Sequence, residues 1–103
     1  MNPKEKILDI AMNLNRVGNW AADDYIAKQK RISTFLDQTT LYLNSLDLTQ
    51  LPPPLKNPLQ SFLDEYSSLK EEGKNGPKDT LDWAEKMMTW GNILTHRASL
   101  IKV

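Results

Sequence analysis

Cysteine is absent from this sequence of 103 residues. That excludes disulfides, thiolate metal sites and a thiol nucleophile. Histidine occurs once, as His96, so the two Glu-x-x-His motifs of a carboxylate-bridged di-iron bundle have no counterpart. An excess of one charge is missing as well: thirteen Lys and Arg balance thirteen Asp and Glu. The balance holds by halves, six of each sign in residues 1–47 and seven of each in 48–103, so neither half is a polyanion-seeking surface by charge alone. No apolar run approaches the ~20 residues of a membrane-spanning helix. Nothing has the alternation or β-branched runs of strands. After Met1-Asn2-Pro3-Lys4-Glu5-Lys6, Asp9 interrupts what would be the apolar run of a secretory leader, so the expected address is cytoplasmic.

The usual chemical motifs are missing too. Asp23-Asp24, Asp64-Glu65 and Glu71-Glu72 are adjacent pairs, which point to different sides of a helix and cannot converge on one ion. No stretch carries the alternating oxygen ligands of a calcium loop. Gly73-Lys74-Asn75-Gly76 lacks the preceding strand and the Gly-Lys-Ser/Thr ending of a phosphate loop. His96 has no sequence cue for a nucleophile or an orienting group. No metal, no cofactor and no enzymatic activity are therefore expected.

What is present is helical periodicity. In the last stretch, Trp83, Ala84, Met87, Trp90, Gly91, Leu94, Ala98 and Ile101 fall on one side of a helix. Asp82, Glu85, Lys86, Thr89, Asn92, His96 and Ser99 fall on the other. So broad an apolar stripe needs more than one helix against it. Ala84, Gly91 and Ala98, seven apart, would let another backbone of the same chain come close. Asp79 or Gly76 can cap this helix, and Arg97 and Lys102 stand near its negative end.

At the other end, Asn2-Pro3 is a start signal, followed by Ile7, Ile10, Ala11, Leu14 and Val17 at helical spacing. Gly18-Asn19 reads as a stop and restart. A second pattern comes after it in Ala21, Tyr25, Ile32, Phe35, Leu36, Thr39, Leu43 and Leu46. The two stripes are in phase, as though the helix did not break, so one helix of over forty residues is the alternative; an unbroken helix would need a partner to cover its N-terminal half. Pro52-Pro53-Pro54 reads as a stiff extended connector. Asn57-Pro58 repeats the start signal, with Gln60 placed for a capping box. Leu59, Phe62, Leu63, Tyr66 and Leu69 form the third stripe, which ends at Gly73.

The chain thus reads as one all-α domain over residues 1–103. The expected architecture is an antiparallel four-helix bundle, near residues 3–17, 20–47, 58–72 and 79–101. Three helices with one long N-terminal helix is the alternative. The core expected is Ile7, Leu14, Tyr25, Ile32, Leu36, Leu43, Phe62, Tyr66, Met87, Trp90 and Leu94. Leu8, Met12, Ile26, Leu41, Ile93, His96 and Leu100 are candidate interface residues, because six are apolar side chains off the main stripes and His96 stands between two of them. Lys28-Gln29-Lys30-Arg31 is the densest basic cluster, diluted by Asp23, Asp24 and Asp37. The function expected is a non-catalytic interaction module that binds itself as a homodimer or another protein, with no membrane role. The alternative is a nucleic-acid-associated regulator using Lys28, Lys30, Arg31 and Arg97.

Overall fold

The computed structural model describes residues 2–101, so the expected placement of Lys102 lies outside the described residues. Asn2 starts the first helix as its type predicts: its side-chain oxygen accepts from the Glu5 backbone N–H at 2.8 Å, and Pro3 occupies the first turn. Helix α1 then runs Pro3–Asn44, a single-turn 3-10 helix spans Leu48–Gln50, α2 spans Pro53–Asn75 and α3 spans Thr80–Ser99. The described residues contain no strand. The count of four helices is therefore off by one, and the three-helix alternative with a long first helix fits.

That first helix is not straight. At 1.5 Å per residue its 42 residues would reach about 63 Å, yet the whole molecule measures 39 × 21 × 21 Å. The chain reverses at Asp24, whose φ of −158° and ψ of 88° leave the helical region. Asp24 then caps the second arm of the helix, accepting from the Ala27 backbone N–H at 3.1 Å. Contacts across the reversal show the two arms antiparallel: Lys6 donates to the Ser45 carbonyl, Asn13 to Gln38, and the Trp20 ring meets Phe35.

The expected break at Gly18-Asn19 is wrong, and the glycine has another use. A Cβ at Gly18 would stand 2.9 Å from the Ala84 carbonyl oxygen, and one at Gly91 would stand 2.9 Å from the Ala11 carbonyl oxygen. Gly18 and Gly91 let α1 and α3 lie almost backbone to backbone. The small-residue stripe of α3 is consumed inside the chain, against the first arm of α1.

α2 begins a turn earlier than expected. Only Pro52 is extended (φ −58°, ψ 148°), while Pro53 and Pro54 form the first helical turn, where a missing N–H costs nothing. Asn57-Pro58 is not a start: Pro58 lies inside the helix, between the fully buried Leu55 and Leu59. Gln60 makes no capping box and donates instead to Asp64, one turn on. Gly73 does not end α2 either; it is helical and lies under the indole of Trp83. The helix ends at Asn75, followed by Gly76 with φ of +100°. Asp79 caps α3, accepting from the Asp82 N–H at 3.0 Å.

The arms of α1, with α2 and α3, close a ring of four helical segments, each antiparallel to its neighbours. Tyr66 donates to the Leu36 carbonyl at 2.7 Å, joining α2 to the second arm. Trp83 donates to the Leu69 carbonyl at 2.9 Å, joining α3 to α2. Lys4 donates to the Ile101 carbonyl at 3.1 Å and completes the ring. Of the expected core, all but Trp90 are buried; Trp90 is half-buried and donates to Glu65 at 2.9 Å. Because both arms of α1 are covered within the chain, a long first helix does not require a second subunit.

Candidate functional site

The reversal at Asp24 creates a surface that neither arm has alone. Residues symmetric about it become neighbours, so Trp20 lies beside Arg31, and Arg16 beside Phe35. The Trp20 and Phe35 rings meet edge to face at 4.9 Å and 89°. The Arg31 guanidinium lies 5.2 Å from the Trp20 ring centre, and that of Arg16 lies 5.8 Å from the centre of Phe35. Both rings are half-buried and both arginines exposed. Each cation–π contact is worth about 0.5–1 kcal/mol at such exposure. Among the described residues neither guanidinium makes a hydrogen bond or ion pair. Their donor edges face solvent.

The basic cluster expected from the sequence stays together, with one of its charges paired. Lys28 is committed to Asp23, and that contact holds the Asp23 carboxyl below its ordinary range. Lys28, Lys30 and Arg31 line one shallow depression with Thr34 and Phe35. Arg97 stands in the last turn of α3, at the end of the bundle away from the Asp24 reversal, and does not join them. Arg16, Trp20 and Phe35 complete the face. Residue type could not have found them, because their proximity depends on where the helix turns back.

The opposite side of the ring, between α2 and α3, carries the other sign. Glu65, Asp82 and Glu85 line a groove with Lys86, Trp90 and Ile93, and Glu71 and Glu72 line the depression beside it with Lys78. Lys86 is paired with Asp82 at 3.3 Å. On the seam between the second arm and α2, Lys74 hydrogen-bonds Asp37 at 2.6 Å and Lys70 lies at 3.6 Å. The Lys74 bond is the main reason that the Asp37 carboxyl is held below its ordinary range.

The seven candidate interface residues do not form one patch. Leu8 is half-buried against the core, and Ile93 is half-buried beside Trp90. Met12, Ile26, Leu41, Leu100 and His96 are exposed. Ile26 lies next to the reversal, Leu41 near the far end of the same arm, and Met12 on the other arm. His96 and Leu100 are at the end of α3. Ile26 does gain a neighbour that periodicity did not single out, the exposed Leu81, across a depression also lined by Ala22 and Pro77.

Inside the bundle the polar groups are spoken for. Asn13 donates to Gln38 at 3.0 Å, and Thr40 and Tyr66 share a hydrogen bond of 3.0 Å. Tyr25 donates to the Gly73 carbonyl at 2.6 Å. Burial pushes the Tyr25 phenol up, and that of Tyr66 up to about 12. Among the described residues no buried side-chain polar atom lacks a partner, and no three His, Asp or Glu side chains are grouped to hold a metal ion. No described helix is long and apolar enough to cross a membrane. The chain matches no protein-family model, no curated protein and no solved structure.

Proposed function

We propose that the chain is a non-catalytic helical interaction module whose binding face is the α1 hairpin surface of Arg16, Trp20, Arg31 and Phe35, and whose partner is an acidic protein segment. The observation that carries this reading is the placement of two guanidinium groups within cation–π distance of two aromatic rings that touch each other. A guanidinium drawn to a ring keeps its N–H fork free for a carboxylate, which it binds with two parallel hydrogen bonds. Half-buried rings beside it supply apolar area to the same partner. A nucleic acid is the weaker match: backbone affinity grows with the number of phosphates neutralised, and a wide basic stripe is its footprint. This face offers Arg16, Lys30 and Arg31, since Lys28 is held by Asp23.

The experiment is a pair of titrations, with a fluorescein-labelled polyglutamate peptide and with a labelled oligo-dT strand. The reading expects saturable, salt-sensitive binding of polyglutamate that the Arg16→Gln/Arg31→Gln double variant loses. Both positions are exposed, so the variant keeps its fold, which circular dichroism verifies. Binding of neither probe overturns the reading. Binding of oligo-dT in preference to polyglutamate replaces it with the nucleic-acid one.

A further inference from the structure

We infer that the acidic segment received by the α1 face is the α2–α3 groove of a second copy of this chain. The inference rests on the proposed binding face, and adds the identity of the partner. Three features of the bundle point the same way. The Arg16–Arg31 face and the Glu65–Asp82–Glu85 groove lie on opposite sides of the ring, so that one copy presents both halves of a complementary pair. Gly18 faces Ala84 across the bundle, which sets Asp82 and Glu85 at about the height of Arg16 and Trp20 on the first arm. Each side also has an apolar floor under its charges: Trp20 and Phe35 on one, Trp90 and Ile93 on the other. The chain carries no net charge, so no long-range repulsion between copies opposes the contact.

Such a contact uses two different surfaces and is therefore head to tail. It leaves one free face of each kind at the ends and adds further copies rather than closing as a two-fold dimer. The expected size is modest. Half of one 39 × 21 Å side is about 400 Å² per partner, below the ~800 Å² per partner of a stable complex. The association is transient, concentration-dependent and weakened by salt.

Sedimentation velocity of the intact chain from about 10 μM to about 1 mM, at low and at high salt, tests it. The expected result is a weight-average mass that climbs with concentration at low salt and returns to the monomer at high salt. Two charge-reversed variants locate the contact: Arg16→Glu/Arg31→Glu and Glu65→Lys/Glu85→Lys, all four side chains exposed. Each variant alone is expected to stay monomeric at concentrations where the parent associates, and an equimolar mixture to associate again. A parent that is monomeric throughout overturns the inference, and so does association that ignores both reversals. If polyglutamate still binds the monomeric parent, the proposed binding face survives with a different acidic partner. If it does not, the face itself falls.

Discussion

Gly18 on α1 faces the Ala84 carbonyl of α3 so closely that a single carbon added to the glycine would stand 2.9 Å from that oxygen. The obstructing atom is backbone and cannot rotate away. In an exposed helix, replacing glycine with alanine would stabilise by about 1 kcal/mol. Here the overpacking penalty, typically about 1–3 kcal/mol, wins. Gly18→Ala and Gly91→Ala are each expected to lower the urea midpoint with an unchanged slope. A higher midpoint for either would show that the two helices can move apart without cost.

The reversal of α1 rests on Asp24. Asp24→Ala removes the cap of the second arm, a loss of about 1 kcal/mol, and installs the residue most favourable to a continuous helix. The straightened helix can no longer pair its own arms, so each must pair with another copy. Light scattering coupled to gel filtration is expected to find an arm-exchanged dimer. A monomer as stable as the parent would mean that the reversal is fixed by packing alone.

How much of this could be read from the chain is clearest in the same two residues. The apolar stripes placed Trp83, Leu94, Phe62 and Leu14 in the core, and Asn2 and Asp79 announced their helix starts. Gly18 looked like a stop, because a glycine chosen for close approach and one chosen for a helix end are the same letter. Asp24 gave no signal: the residue three later is Ala27, not the Glu or Gln of a capping box. A reversal that substitutes one residue's conformation without adding residues also leaves the two stripes in phase, as Ala21 and Tyr25 show, both buried one turn apart across it. The proline run misled for a related reason. Proline reads as a helix breaker, yet its missing N–H is harmless in the first turn, where Pro53 and Pro54 sit. The Arg16–Trp20–Arg31–Phe35 face was hidden because it exists only once the turning point is known.

Tyr66 sets the alkaline limit. Burial raises its phenol from 10 to about 12, so the folded state holds its proton where the unfolded state has lost it. Stability falls as pH rises from about 10 and the loss levels off above about 12, at roughly 2–3 kcal/mol in all. Asp37 acts at the acid limit in the opposite sense. Its lowered carboxyl contributes stability that is present above its ordinary value of 3.8 and is lost as pH falls through its folded value. Urea titrations at a series of pH values are expected to show a flattened alkaline limb in Tyr66→Phe and a flattened acid limb in Asp37→Asn. Limbs that match the parent would assign the pH dependence to other groups.

Truncation separates the interior from the surface. Leu14 is fully buried where the first arm meets the core, and Leu14→Ala is expected to cost about 2–5 kcal/mol. Leu41 is 69% exposed, and Leu41→Ala should stay within about 0.5 kcal/mol. Similar costs at the two sites would show that Leu41 is covered in solution.

The first arm of α1 packs most closely on α3, the last helix of the described chain. During synthesis, therefore, Ile7, Ala11, Leu14 and Gly18 leave the ribosome well before the α3 surface that covers them. The hairpin of α1 can close early, but one side of it stays wet until α3 emerges. That delay, rather than any weakness of the finished bundle, is when a nascent chain of this kind is most exposed to chaperones and to its neighbours.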